Sequence, residues 1–254
     1  MILTHNLLDI IFPPVCLACK EYLKNGAEKS RRVCDACSVK LDYLPGFLCP
    51  ICLRRLPTDL PAEVSTKAGV LIRTCRPPCH KNAQFVLASP LDYSNSAVRE
   101  IIRVLKYDGI RTAAEPLTSV LAGYLSSSFG NYEMKIEDFS LIPVPIHSSK
   151  ERKRGFNQAL VIAEELKKKT NIPVIPEALK KIKATPSQTE KKNNEEREEN
   201  VRGNFAVKKP ELIAGKNIFL VDDVFTSGAT MREAVRVLKL AGAGKIIALA
   251  VARA

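Results

Sequence analysis

From residue 85 onward, short apolar runs alternate with longer segments in which apolar residues recur every three or four positions. Residues 85–91 read as a strand. Residues 97–105 carry a helical apolar period that runs out at Lys106-Tyr107-Asp108-Gly109, with glycine just past the helix end. Residues 113–125 are a second amphipathic helix, and residues 131–138 a polar connection. Residues 141–146 read as a strand whose two prolines, Pro143 and Pro145, give its end unusual backbone. The uninterrupted run Ile218-Phe219-Leu220-Val221 fits a strand buried on both faces. Met231, Ala234, Val235 and Leu238 then recur at helical spacing. A last strand, 245–251, follows the break at Gly242-Ala243-Gly244. Strands alternating with helices predict an α/β fold with a parallel sheet and right-handed crossovers. Ligand loops are then expected at the carboxyl ends of strands.

Two regions depart from this pattern. Residues 1–84 form a cysteine-rich module, distinct from the α/β domain of residues 85–254. Leu7, Leu8, Ile10, Ile11 and Phe12 predict a short helix ended by Pro13-Pro14. It carries no Lys or Arg, so its apolar face suits packing on protein better than anchoring to a membrane. Residues 176–202 are the most hydrophilic stretch, which predicts mobility. That stretch is either a lid using Gln188, Arg197 and Asn200 or a plain disordered excursion.

Candidate chemistry concentrates after the 217–221 strand. Asp222 and Asp223 are expected where the strand ends, followed by the small-residue loop Thr226-Ser227-Gly228-Ala229-Thr230 and a helix N-terminus. Backbone N–H groups and hydroxyls in such a loop can surround a phosphate, and the helix dipole favours its charge. The two carboxylates would repel that phosphate. They suit a vicinal diol instead, such as the 2- and 3-hydroxyls of a ribose. No lysine lies in the loop and the glycine spacing is not that of a dinucleotide fingerprint, so neither of those phosphate motifs applies. The plainer alternative is that Asp223 or Thr226 only caps the next helix. A second anion site is read at residues 150–158, a basic run with Arg154 and Gly155 before a helix, where pyrophosphate would fit. A solvated charge run would have no need of Phe156, Asn157 and Gln158.

The chain has 254 residues, enough for one large or two modest domains, and 46% apolar residues, enough for a core. Its formal charge of +12 suits polyanionic partners without choosing among them. No apolar run reaches the ~18 residues of a membrane span, and no basic leader with a cleavage site precedes the module. A cytoplasmic protein is expected. All eight cysteines fall before residue 80: Cys16, Cys19, Cys34, Cys37, Cys49, Cys52, Cys75 and Cys79. Paired thiols at this spacing point to metal rather than disulfide or redox use. The count allows two four-thiolate zinc sites, the first four cysteines and the last four in the simplest pairing. An interleaved pairing, or one site with free thiols, satisfies the same count. His80 beside Cys79 is read as a bystander.

The 218–230 run resembles the phosphoribosyl-pyrophosphate signature of type I phosphoribosyltransferases. With the paired cysteines, Leu105-Lys106-Tyr107-Asp108-Gly109, Pro143-Val144-Pro145, Arg154-Gly155-Phe156-Asn157-Gln158 and the region of Gln188, Arg197, Asn200 and Val201, the chain resembles the ComF family of competence proteins nearly end to end. The resemblance implies a parallel-sheet type I phosphoribosyltransferase-like fold with an N-terminal zinc ribbon. It implies phosphoribosyl pyrophosphate bound with magnesium, Asp222 and Asp223 on the ribose hydroxyls and Thr226, Ser227, Gly228, Ala229 and Thr230 on the 5-phosphate. Arg154 and Lys106 are expected on the pyrophosphate. It further implies handling of single-stranded DNA in natural transformation beside a competence-system helicase. A phosphoribosyltransferase acting on an unidentified base or nucleotide, or a ligand-sensing regulator, is the alternative. The residues name no acceptor-binding group. Any cover over the acceptor is expected from the cysteine module or from residues 85–125.

Overall fold

The computed structural model describes residues 13–56, 85–130, 135–183 and 201–254, and the statements below concern these. The predicted helix at residues 7–12, Cys75, Cys79 and His80, and Gln188, Arg197 and Asn200 lie outside them. The cysteine module contributes two short helices, α1 (Gly26–Arg31) and α2 (Asp35–Ser38). The α/β part runs β1 (Val86–Ala88), β2 (Leu91–Asp92), α3 (Ser96–Tyr107), α4 (Ala114–Phe129), β3 (Phe139–Pro143), α5 (Ser148–Arg154), α6 (Gln158–Thr170), β4 (Leu179–Lys181), β5 (Phe205–Val207), β6 (Asn217–Phe225), α7 (Ala229–Leu240) and β7 (Ile246–Arg253).

The main sheet is parallel, in the order β1-β7-β6-β3, with β2 continuing beside β7 where β1 stops. The strand expected at 85–91 is thus two pieces: Ser89-Pro90 interrupts it, because proline has no N–H for the ladder. The strand expected at 141–146 lies at Phe139–Pro143. β6 and β7 form the centre, which explains their near-continuous apolar runs. One face carries Phe219, Val221, Leu249 and Val251 against α3, α4, α6 and the cysteine module. The other carries Ile218, Leu220, Ala248 and Ala250 against α7 and the antiparallel pair β4–β5. That pair starts inside the stretch expected to be mobile, where Leu179 and Phe205 supply the apolar anchors.

The cysteine module is not an appendage. Leu48 exchanges both backbone hydrogen bonds with Leu87, at 2.8 and 3.0 Å, and so pairs with β1. Phe47 meets Phe129 edge-on, and Phe129 in turn meets Phe139 and Phe219 of the sheet. The buried Tyr124 hydroxyl donates to the Gly46 carbonyl, and Ser128 Oγ accepts from the Gly46 N–H at 2.9 Å. No helix among the described residues is long and apolar enough to cross a membrane.

Candidate functional site

β3 ends at Pro143, opposite Val221, so β6 runs on past its neighbour toward Phe225. Asp222 and Asp223 occupy this overhang. They were expected after the strand but lie within it, because β7 still pairs with Asp222, Val224 and Phe225. Asp223 accepts from Lys106 at 3.0 Å, with side chains 12% and 18% exposed. Burial opposes the ammonium of Lys106, but the charge and hydrogen bond of Asp223, with the charge of Asp222, outweigh it and hold its pKa above the ordinary lysine value. Asp222 is half-buried and accepts from the Asp223 N–H at 2.9 Å. Burial and then the charge of Asp223 push its carboxyl up to about 7, against the charges of Lys106 and Lys181.

The loop beyond the acids is Thr226–Gly228; α7 already contains Ala229 and Thr230. Gly228 is the N-cap, in the left-handed region at φ 74°, and no side chain caps the helix. The alternative in which Asp223 or Thr226 caps α7 therefore does not hold. The first N–H groups of α7 need partners from outside the helix, as at an anion site. Glycine is required at 228: a Cβ there would stand 2.6 Å from Phe225 Cζ and 2.8 Å from Arg232 Nη1. Arg232 also fixes the loop by donating to the Ser227 carbonyl at 2.8 Å.

The basic run at 150–158 was expected to be a loop. Its first five residues, 150–154, lie in the helix α5, with Gly155 as the left-handed C-cap at φ 81°, and only 155–157 form a loop before α6. Arg154 donates to Gln158 Oε1 at 2.9 Å and lies over the Tyr107 ring, 5.5 Å from its centre. Phe156, Asn157 and Gln158 each do structural work here. Phe156 lies under the Arg111 guanidinium. Asn157 caps α6 and donates to the Val144 carbonyl at 3.1 Å, tying α6 to the end of β3. Gln158 holds Arg154. The structure thus brings Lys106, Arg154 and the acid pair to one edge of the sheet, with the 226–230 turn beyond them.

Sequence reasoning missed Lys181 and the role of Lys150. Lys181 of β4 is pulled below the ordinary lysine value by burial and then by the charge of Lys150, while Asp222 acts in the other direction. The only sequence signal was apolar Leu179 before two lysines and the apolar 205–207 run that pairs with them, hidden inside a polar stretch.

In the cysteine module, the sulfurs of Cys16, Cys19, Cys34 and Cys37 all lie within 4.8 Å of one another. Cys19 and Cys34 are 3.7 Å apart. Tetrahedral zinc with thiolate bonds of about 2.3 Å needs sulfurs roughly 3.8 Å apart, so the donor set fits. Burial opposes a charge on Cys16, but backbone N–H groups of Cys19, Cys34 and Ala18 outweigh it and bring the thiol down to about 7. The Cys34 N–H reaches its sulfur at 3.4 Å. Cys49 accepts from the N–H groups of Ile51 and Cys52, the start of a second knuckle. The six described cysteines form no disulfide.

A phosphoribosyl transferase domain matches residues 153–254, and a double zinc ribbon domain matches residues 7–77. The chain is 26% identical over 241 residues to competence protein ComFC of Bacillus subtilis, covering 88% of each chain. It is 31% identical over 125 residues to competence protein F of Haemophilus influenzae, covering 48% of this chain and 53% of that one. To the DNA utilization protein YhgH of Escherichia coli K12 it is 23% identical over 219 residues, 84% of this chain and 93% of that one. These likenesses match the ComF family. The two family matches fall on the two halves of the site inventory: the phosphoribosyl transferase domain on the sheet edge, and the double zinc ribbon domain on a module whose Cys16, Cys19, Cys34 and Cys37 set supports structural zinc.

Proposed function

We propose that the chain is a ComF-type competence protein that binds phosphoribosyl pyrophosphate with magnesium at the carboxyl edge of its sheet and handles single-stranded DNA in natural transformation. The observation that carries this reading is the junction of Lys106, Asp223 and Asp222 with the uncapped start of α7. A phosphoribosyl pyrophosphate offers phosphates to Lys106 and Arg154 and hydroxyls to the acids, replacing one buried ion pair by two sets of partners. The 226–230 turn would take the 5-phosphate, and magnesium would neutralise the pyrophosphate. Lys150 and Lys181 extend the cationic wall toward a second anionic group. The relatives' names support the DNA role, and a charge of +12 supplies the electrostatics. A helicase of the competence system is the proposed partner and the cytoplasm the proposed compartment. The division at residue 84 separates the zinc chemistry from the sugar-phosphate chemistry.

The test is calorimetric titration of phosphoribosyl pyrophosphate and magnesium into wild type and into the double variant Asp222→Asn, Asp223→Asn. Binding to wild type and none to the variant is expected; equal affinity would refute the site. A second reading, transfer of the phosphoribosyl group to an acceptor, is favoured by the elevated pKa of Asp222, which leaves that carboxylate able to accept a proton near neutral pH. Pyrophosphate release with a candidate base would establish it, and its absence with every nucleobase would leave the binding role.

A further inference from the structure

Aromatic residues are 6% of this chain and none is tryptophan. Among the described residues only Tyr22 and Tyr107 are exposed aromatics. Tyr22 lies in the cysteine module. Tyr107 lies next in sequence to Lys106, whose ammonium pairs with Asp223. It ends α3 with 70% of its surface exposed, and Ile110, three residues further on, is exposed as well. The Arg154 guanidinium lies over the ring, 5.5 Å from its centre. Arg111 is held just beyond, between the Phe156 ring and the Gly155 carbonyl. The Tyr107 ring with the Arg154 guanidinium over it, and Arg111 beyond, make the combination that meets a base and its phosphate together.

We propose that Tyr107 is a stacking platform for a nucleobase at the mouth of the site. The base lies on the open part of the Tyr107 ring, and the phosphate attached to its sugar lies toward Arg154 and Arg111. The proposal supplies the base-contacting residue that the sequence did not name, and it rests on the sugar-phosphate reading only for the identity of the neighbouring pocket. A free acceptor base or a base within a single strand offers the same chemistry.

The experiment compares binding of a labelled oligothymidylate with that of an abasic strand of equal length, by anisotropy, for wild type, Tyr107→Phe and Tyr107→Leu. Wild type should prefer the base-bearing strand by about tenfold, the lower part of the range for one stacked base. Tyr107→Phe should keep that ratio and Tyr107→Leu should bring it close to one. A ratio near one in wild type, or one unchanged in Tyr107→Leu, overturns the proposal. If Tyr107 only positions Arg154, both strands weaken together in Tyr107→Leu and the ratio stays, which is also a refutation. Displacement of the strand by thymidine monophosphate in wild type but not in Tyr107→Leu identifies the free base as a source; no displacement leaves the strand. Failure of phosphoribosyl pyrophosphate to bind wild type would sink the pocket reading while leaving the strand ratio as measured.

Discussion

Lys106 and Asp223 are far apart in sequence and largely buried together. Removing one partner of such a pair leaves an uncompensated charge, at about 3–5 kcal/mol. Lys106→Met and Asp223→Asn should each destabilise by roughly that amount, and the double variant by less than their sum. Urea denaturation checks this; strict additivity would mean that the pair does not interact. Asp222 makes a prediction of opposite character. Its carboxyl titrates at about 7 in the fold against an ordinary 3.8. Between those values the folded chain holds a proton that the unfolded chain has lost, so stability falls as pH rises through that window. The urea midpoint of wild type should drop from pH 5 to pH 8, and Asp222→Asn should flatten the drop. Both acids were singled out from the sequence by residue type and context. The upward shift of Asp222 was not legible, since it depends on how the fold buries that carboxyl beside the charge of Asp223.

At the scale of elements, the turn between β6 and α7 is the most sequence-determined part of the site. Four apolar residues, two acids, small residues and a helical period leave little freedom. Gly228→Ala meets both a left-handed backbone and the Phe225 ring, so a loss of about 2 kcal/mol is expected. Phosphoribosyl-pyrophosphate affinity should fall with it; an alanine variant with wild-type stability and affinity would show that the turn is adaptable. Other elements were misread for identifiable reasons. The run of five charges from Lys150 to Arg154 looked like a loop because it has no apolar period. It is helical because His147 accepts from the Ser149 N–H at its start, cations sit at its last turn and Gly155 ends it. β4 escaped notice because three residues, two of them lysine, carry almost no strand signal.

Across the whole molecule, the cysteine module and the sheet are one packed body. α3 spans the two: its N-cap Asn95 donates to the Lys40 carbonyl at 2.7 Å, Glu100 takes Lys20 at 3.1 Å, and Lys106 in its last turn pairs with Asp223. Structural zinc stabilises by on the order of 10 kcal/mol in isolated fingers. Even half of that converts to a Tm drop of 10 °C or more at roughly 2–4 °C per kcal/mol. Chelation should produce such a drop and should raise hydrogen exchange in β1 and α3. A chelator-treated protein with unchanged Tm and exchange would separate the module from the fold.

The sequence by itself determined the α/β class, the position of the acid pair ahead of a helix and the thiol spacing that suits zinc, because each depends on residues close together along the chain. Only the tertiary structure decided that Lys106 neutralises Asp223, that Lys181 comes within electrostatic range of Asp222, and that the cysteine module pairs with β1. Those contacts join segments tens of residues apart, and nothing in local periodicity encodes which distant charge a packed helix will deliver.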